Sequence, residues 1–131
     1  MKLVTAAIII ENNEILIARR SSKSKLPGFW EFPGGKIEGD ETPQECLERE
    51  LEEELGIKSK AKEIIKESRY KYSHGDFLLL AILTKLLDHD FKLTAHDEVR
   101  WIPISKLLEY KLAPADIPIA NHVVEKYSIT A

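Results

Sequence analysis

The sequence lacks the features that mark several large classes of protein. Its single cysteine, Cys46, excludes an intramolecular disulfide framework and a zinc site built from several cysteines. Its longest apolar runs, residues 6–10 and 77–83, are far shorter than the roughly 20 residues that a membrane-spanning helix needs. The first residues also lack the apolar segment of a secretory signal. We therefore expect a cytoplasmic protein that has no membrane as a partner.

An excess of positive charge is also missing. The chain has 19 lysines and arginines against 22 aspartates and glutamates, and its net charge is −3. A nucleic-acid-binding surface needs an excess of basic residues, so we expect no nucleic acid polymer as a partner. Because 44% of the 131 residues are hydrophobic, residues 1–131 are predicted to form a single globular domain. We expect this domain to be a monomer or a homodimer.

The spacing of apolar residues predicts an α/β fold. Segments 3–10 and 15–18 predict a hairpin of two buried strands. An extended piece over 29–32 runs into a tight Pro-Gly-Gly loop. Further elements are predicted as strands over 60–72, 77–87 and 99–102 and as helices over 105–110 and 114–127. Strands and helices alternate irregularly, which favours a mixed sheet packed between helices.

The clearest predicted element is a helix over residues 42–55. Thr42 is a good N-cap, Pro43 suits the first turn, and Glu45 completes a capping box. Gly56 supplies the signal for the end of the helix. Around this helix, residues 35–57 contain nine acids and two bases. So much charge of one sign in one element needs a physical explanation.

Three of these acids share one face of the predicted helix. At about 100° per residue, Glu50, Glu53 and Glu54 fall within an arc of about 100°. An adjacent apolar stripe, on which the helix can pack, consists of Leu47, Leu51 and Leu55. Carboxylate oxygens are the ligands that Mg²⁺ prefers, and waters and substrate phosphates usually complete its shell. The face therefore predicts a metal site for an anionic substrate, and the alternative is a solvated charged surface.

Residues 35–57 also form a longer pattern. Gly35 is followed by five residues, then Glu41, then seven residues and the run Arg-Glu-Leu-Glu-Glu-Glu-Leu-Gly-Ile over 49–57. This run resembles, at every fixed position, the Nudix box of the Nudix hydrolases, G-x5-E-x7-R-E-U-x-E-E-x-G-U, where U is a bulky aliphatic residue. Residues 29–36 resemble the approach to the box in the MutT-like branch. Residues 112–118 resemble a C-terminal stretch of its CTP pyrophosphohydrolase-like members.

The resemblance implies a fold, a reaction and a cofactor. The implied fold is an α/β/α sandwich with a mixed β-sheet between helices. The implied reaction splits a nucleoside diphosphate linked to another group, usually a nucleoside triphosphate cut to the monophosphate and pyrophosphate. Mg²⁺ is the implied cofactor, with Mn²⁺ as a possible substitute. Cations near a diphosphate screen its charge, stabilise the leaving group and acidify the attacking water, so the chemistry fits the acidic helix.

The same resemblance implies roles for the residues of the box. Glu50, Glu53 and Glu54 would be metal ligands together with the carbonyl of Gly34, and Glu50 or Glu53 would accept the proton of water. We interpret Arg49 as a residue that pairs with nearby acids and orients these ligands. A later loop of the family often supplies a further metal-binding glutamate; in this sequence the candidate is Glu98, which can equally be an ordinary loop acid.

Residues outside the box are expected to bind the phosphates and the base. Lys36 and Arg20 are the phosphate-binding candidates, since matching basic positions bind phosphate in the family. Glu31 and Asp116 are the nucleobase-binding candidates by the resemblance. Taken alone, the first would be an acid at a strand edge and the second an acid favoured at a helix start. Candidate stacking partners, each of which can equally be a core residue, are Phe29, Trp30 and Tyr72.

The leading function is a pyrophosphohydrolase of CTP, dCTP or modified nucleotides. A carboxylate accepts a hydrogen bond from the exocyclic amine of cytosine, yet it also accepts from an oxidised guanine. The alternatives are therefore an 8-oxo-dGTP diphosphatase, an ADP-ribose or dinucleoside polyphosphate hydrolase, and a Nudix domain that binds nucleotides without cleaving them. The four histidines show no metal-site spacing, and we expect them on the surface, the first of them in a turn: His74, His89, His96 and His122.

Overall fold

Two β-sheets form the middle of the molecule in the computed structural model, which describes residues 1–73 and 75–128. The strands are β1 (Lys2–Ile8), β2 (Ile10–Glu11), β3 (Glu14–Arg20), β4 (Trp30–Glu31), β5 (Ser59–Tyr72), β6 (Gly75–Leu86) and β7 (His96–Pro103). The helices are α1 (Pro43–Leu55) and α2 (Ile117–Tyr127), with shorter 3₁₀ helices at Ile104–Glu109 and Pro114–Asp116. None of these helices is long and apolar enough to cross a membrane.

The two sheets differ in the direction of their strands. The first has the order β1-β6-β5, with β1 parallel to β6 and β6 antiparallel to β5. This is the predicted mixed sheet. The second sheet, which the sequence did not predict, is antiparallel and has β3 at its centre. β7 pairs with β3 along its whole length, and the two short strands β2 and β4 pair with opposite ends of β3.

Helix α1 covers one side of these sheets. Its leucine stripe is fully buried, as the 3.6-residue period predicts. The apolar residues that it packs against come from both sheets and include Ala7, Ile9, Leu16 and Ile82. Both ends of α1 are as predicted: the side chain of Thr42 accepts from the backbone N–H of Glu45, and Gly56 ends the helix in the left-handed conformation with φ of 67°. Three leucines thus fix the orientation of the acidic face.

Helix α2 covers the opposite side. Its buried residues belong to a second core with Ala6, Ile8, Ile15, Ile17 and Trp30. Successive residues of β1 and β3 therefore enter different cores, because side chains alternate across a strand. With α1 on one side and α2 on the other, the α/β/α arrangement predicted from the sequence is confirmed.

Some local predictions were wrong in detail. The predicted hairpin of 3–10 with 15–18 is confined to the short strand β2, because β1 instead pairs in parallel with β6. A parallel neighbour distant in sequence leaves no local signal. The predicted helix over 105–110 is the 3₁₀ helix Ile104–Glu109, and the predicted helix over 114–127 begins with a 3₁₀ turn. The prediction for His74 lies outside the described residues.

Candidate active site

Two consecutive glycines let the chain pass between β1 and α1. The backbone N–H groups of Thr5 and Ala7 donate to the carbonyls of Gly35 and Pro33, at 2.7 and 2.8 Å. A Cβ atom on Gly34 would overlap the carbonyl of Thr5, and one on Gly35 would overlap the carboxyl group of Glu50. Because the carbonyls on either side bond to β1, the carbonyl of Gly34 points away from that strand.

Arg49 connects this loop to the acidic face of α1. Its Nε and Nη2 atoms donate to the two carboxylate oxygens of Glu41, at 2.6 and 3.0 Å. Its Nη1 donates to Glu50 at 3.0 Å and to Glu53 at 3.2 Å. The hydrogen bonds from Arg49 lower the pKa of Glu41 to about 2. The predicted pairing of Arg49 with nearby acids is thus confirmed, and one guanidinium fixes the orientation of three carboxylates.

The three predicted metal ligands differ in exposure. The side chains of Glu50 and Glu54 are 15% and 16% exposed, whereas that of Glu53 is 59% exposed. Burial of Glu54, with its hydrogen bond to Glu50 and the charge of that residue, raises the pKa of Glu54 to about 9. Burial beside Glu50 therefore disfavours the ionised form of Glu54, which a divalent ion with oxygen ligands would favour.

A cavity of about 840 Å³ opens beside these acids. Its lining includes Gly34, Gly35, Lys36 and Glu54, from the glycine loop and α1, together with Glu31 and Asp116. The structure thus brings the glycine loop, one of the three carboxylate ligand candidates, both phosphate-binding candidates and both base-binding candidates to the same space. A volume of this size lies within the range of small-molecule sites.

Glu31 on β4 lies between two cationic or proton-donating side chains. The Nη1 of Arg20 donates to its Oε1 at 2.7 Å, and the Nε2 of His96 lies 2.8 Å from its Oε2. Burial alone would raise the pKa of Glu31, but the hydrogen bond with His96 and the charge of Arg20 outweigh burial, and the pKa is lowered. Arg20, predicted to bind phosphate, therefore lies in the cavity wall with part of its guanidinium paired to Glu31.

Asp116 is more deeply buried than Glu31. Its side chain is buried at the junction of the 3₁₀ turn with α2, and its Oδ2 accepts from the backbone N–H of Phe32 at 3.2 Å. Burial, followed by the charge of Glu31, raises the pKa of Asp116 to about 8. At neutral pH the raised pKa values of Asp116 and Glu54 favour their protonated forms, and the lowered pKa of Glu31 favours its ionised form.

The structure does not bring Glu98 to the other predicted metal ligands. Glu98 pairs with Arg19 at 3.4 Å and with Arg100 at 2.7 Å. Both arginines lie over the ring of Trp30, on the side of the sheet that faces the second core. Glu98 therefore lies on the opposite face of β7 from the cavity, and its carboxylate is already neutralised by two cations.

His96 is the residue that the sequence analysis missed. Its predicted place on the surface was wrong, because its side chain is only 2% exposed and it lines the cavity. A β-bulge explains the error: Arg19 pairs with Glu98 but Arg20 pairs with His96, so Asp97 is left out of the register. Simple alternation would place His96 on the face of Glu98, whereas the bulge turns it to the opposite face. Only the paired register, which is not local, reveals this.

The predicted stacking partners have different environments. Trp30 is buried in the second core, with its ring edge-to-face against Tyr110 at 5.7 Å. Phe29 is half-buried, and the Nζ of Lys111 lies 4.2 Å from its ring centre. The side chain of Tyr72 lies outside the described part of the chain. Packing in the core is therefore the role that the structure gives Trp30.

Comparison with known proteins identifies the family of the chain. The model of the NUDIX domain matches residues 1–123. The chain is 38% identical to the CTP pyrophosphohydrolase of Escherichia coli (strain K12) over 116 residues, which are 88% of this chain and 86% of that protein. It is 39% identical to the 8-oxo-dGTP diphosphatase of the same organism over 72 residues, which are 55% and 56% of the two chains.

A solved structure shows the same fold. The solution structure of the E. coli ORF135 protein superposes with a TM-score of 0.82 at 35% sequence identity, covering 96% of this chain and 91% of that one. The family match, the 38% identical relative and the solved structure each cover most of the chain. The chain therefore belongs to the Nudix family and is a hydrolase of phosphorus-containing acid anhydrides.

Proposed function

We propose that this hydrolase cleaves nucleoside triphosphates to the monophosphate and pyrophosphate, with CTP-like or dCTP-like nucleotides preferred. One observation carries the proposal: a single cavity joins the acidic end of α1 to the buried carboxyl groups of Glu31 and Asp116. The oxygen ligands of α1 suit a charged triphosphate with its cations, and the carboxyl groups of Glu31 and Asp116 suit a nitrogenous base. The name of the 38% identical relative supports the preference for cytosine.

The proposed metal ligands are Glu50, Glu53, Glu54 and the carbonyl of Gly34. All four supply oxygen atoms, which suits Mg²⁺ and, as a substitute, Mn²⁺. The close approach of Glu50 and Glu54, which share a hydrogen bond in a poorly exposed site, is the observation that fits a divalent cation. When bound, such a cation would screen the phosphate oxygens and acidify water. Glu98 is omitted from this set because two arginines hold it on the other face of its sheet.

The side chains around the metal ligands have supporting roles. Arg49 holds Glu50 and Glu53 through its Nη1 while Glu41 anchors the rest of the guanidinium. Glu50 or Glu53 accepts the proton of the attacking water. Lys36 is exposed at the cavity and provides the positive charge that a phosphate group needs. Arg20 lines the same cavity and in addition orients Glu31.

The base end supplies an acceptor and a donor. The ionised Glu31 accepts a hydrogen bond from the exocyclic amine of cytosine. The protonated Asp116 donates to a ring nitrogen or a carbonyl oxygen of the same base. UTP has a carbonyl oxygen where CTP has the amine, so an ionised carboxylate disfavours it. Oxidised purine nucleotides also carry an amine, and the relative named 8-oxo-dGTP diphosphatase makes them the second candidate substrates.

A nucleotide panel with product identification tests the proposal. CTP, dCTP, UTP, 8-oxo-dGTP, ADP-ribose and a dinucleoside polyphosphate are each incubated with Mg²⁺ and again with excess EDTA. We expect pyrophosphate and the monophosphate from CTP or dCTP, and no turnover with EDTA. A higher kcat/KM for 8-oxo-dGTP would overturn the ranking of substrates. Binding of nucleotides with no turnover of any of them would contradict the proposal as a whole.

A further inference from the structure

His96 lies between the base end of the cavity and the acidic helix. Its Nε2 atom is 2.8 Å from Glu31 and 3.9 Å from Glu54, so Glu31 is the hydrogen-bonding partner. The bulge at Asp97 turns the ring inward, and bulges beside active sites often redirect a side chain in this way. A buried ring in direct contact with a proposed specificity residue needs a functional explanation.

We propose that His96 is a positioning residue for base recognition, which holds the carboxylate of Glu31 so that it accepts from a base with an exocyclic amine. The inference rests on the proposed function, because it concerns how Glu31 recognises the base in the same cavity. His96 lines that cavity through its buried ring, and its effect on the substrate is transmitted through Glu31.

The two oxygens of Glu31 leave room for a ligand. Oε1 accepts from Arg20 and Oε2 contacts His96, so each oxygen has one protein partner. A carboxylate offers about four acceptor positions, and about two remain for the base. Arg20 is itself fixed, because its Nε donates to the carbonyl of Lys25 at 2.6 Å. Glu31 is thus held at both oxygens by groups whose own positions are constrained.

The other ring nitrogen of His96 indicates which tautomer is present. Its Nδ1 is buried and has no hydrogen-bond partner among the described residues. A proton on Nδ1 would be a buried donor without an acceptor, whereas a proton on Nε2 is donated to Glu31. The Nε2–H tautomer is therefore favoured, and it makes His96 a hydrogen-bond donor.

The same observation argues against His96 as a metal ligand. Glu31, Glu54 and His96 place one ligand atom each within 4.8 Å of one another, as a metal site would require. Coordination through Nε2 would move the ring proton to Nδ1, where metal-bound histidines usually have an acceptor. No such acceptor is described here. Positioning of Glu31 is thus the role that the geometry favours, and metal coordination becomes an outcome to be tested.

Two variants of His96 separate a hydrogen-bonding role from a packing role. His96→Gln retains an N–H donor at a similar reach, and His96→Leu retains volume without a donor. Steady-state kinetics with Mg²⁺ give kcat and KM for CTP and UTP. For the leucine variant we expect the CTP-to-UTP ratio of kcat/KM to fall by about 10-fold or more through a raised KM for CTP, with kcat within about 3-fold. The glutamine variant should keep the ratio within about 3-fold.

Other kinetic results would overturn the proposal. An unchanged ratio in the leucine variant, or equal losses in both variants, would show that the donor is not what matters. Absence of any preference for CTP over UTP in the unmodified protein would also overturn the proposal, because the protein would then not recognise the exocyclic amine. Matching melting temperatures of the two variants ensure that the comparison is not one of folded against unfolded protein.

Nitrogen-15 NMR of the histidine rings provides a readout that does not depend on turnover. We expect the proton of His96 on Nε2 and a shift of that signal in Glu31→Gln but not in the control Glu52→Gln, whose side chain lies on the exposed face of α1. A proton on Nδ1, in the free protein or after addition of Mg²⁺ or Zn²⁺, would refute positioning and indicate that Nε2 coordinates a metal ion. If no nucleotide is cleaved, the proposed function fails while this spectrum still decides the contact between His96 and Glu31.

Discussion

The carboxyl group of Glu50 occupies the space that a side chain at Gly35 would need. The loop between β1 and α1 and the acidic face of α1 are therefore in direct contact. At the preceding position, Gly34, the obstacle is instead the backbone of Thr5. The two neighbouring glycines are thus required for different reasons. Gly34 leaves room for the backbone of a strand, and Gly35 leaves room for a side chain that can move.

Alanine substitutions should separate these reasons. Gly34→Ala pushes against the strand backbone, and we expect the free energy of unfolding to fall by about 1–3 kcal/mol. Gly35→Ala displaces a side chain that can move, so it should cost less stability but lower kcat/KM by about 10-fold or more through misplacement of Glu50. Urea unfolding and steady-state kinetics of both variants check this. Equal effects of the two variants on stability and on activity would contradict the assignment.

Replacement of Arg49 tests whether its fork geometry matters. A lysine keeps the charge but cannot donate to Glu41, Glu50 and Glu53 at once. We expect Arg49→Lys to lower kcat/KM by about 10–100-fold, as loss of a residue that orients metal ligands typically does. Arg69→Lys, at an exposed ion pair on β5, is the matched control and should leave activity unchanged. Full activity of Arg49→Lys would remove the orienting role.

Asp116 should make stability depend on pH. Its pKa is about 8 in the folded protein against an ordinary 3.8, so between these values the unfolded chain releases a proton that the folded protein keeps. The free energy of unfolding contributed by this group therefore falls as pH rises from about 4 to 8. Asp116→Asn carries no charge at either pH. We therefore expect the free energy of unfolding of this variant, relative to that of the unmodified protein, to rise by at least about 1 kcal/mol between pH 4 and pH 8. Urea unfolding at both pH values measures the difference, and a pH-independent difference would refute it.

The box and the helix could be predicted because their signals are local. Thr42, Glu45 and Gly56 mark the ends of α1 by side-chain and backbone chemistry within a few residues. Leu51 and its stripe fix the buried side through a 3.6-residue period, and the position of the adjacent acidic face follows from that. The same reasoning predicted the contacts of Arg49, which lies on the helix beside its partners.

The part of the cavity around Glu31 and His96 was predicted less completely, because it depends on pairing between distant strands. Glu98 and His96 are two residues apart on β7, and simple alternation places them on one face. The bulge opposite Arg19 and Arg20 separates them, so His96 enters the cavity and Glu98 leaves it. No feature of the segment around Asp97 indicates the bulge without knowledge of β3.

Glutamate-to-glutamine pairs on α1 test the chemistry of the acidic face. Glu53→Gln removes one proposed ligand, and we expect kcat to fall by about 100-fold or more. Glu52→Gln, one residue earlier, removes only an exposed pair with Lys58 and should leave kcat within about 2-fold. Turnover of CTP by both variants at saturating Mg²⁺ gives the comparison. Equal turnover by Glu53→Gln and Glu52→Gln would mean that the acidic face of α1 does not take part in the reaction.

Calorimetric titration with Mg²⁺ alone tests the central claim most directly, since it requires no knowledge of the substrate. The account predicts that the unmodified protein and Glu52→Gln bind Mg²⁺ alike. It predicts that Glu54→Gln binds at least about 10-fold more weakly, because an amide replaces a carboxyl group that ionises when it binds the ion. Unchanged Mg²⁺ affinity in Glu54→Gln, or an equal loss in Glu52→Gln, would contradict the assignment of a divalent metal to this end of α1.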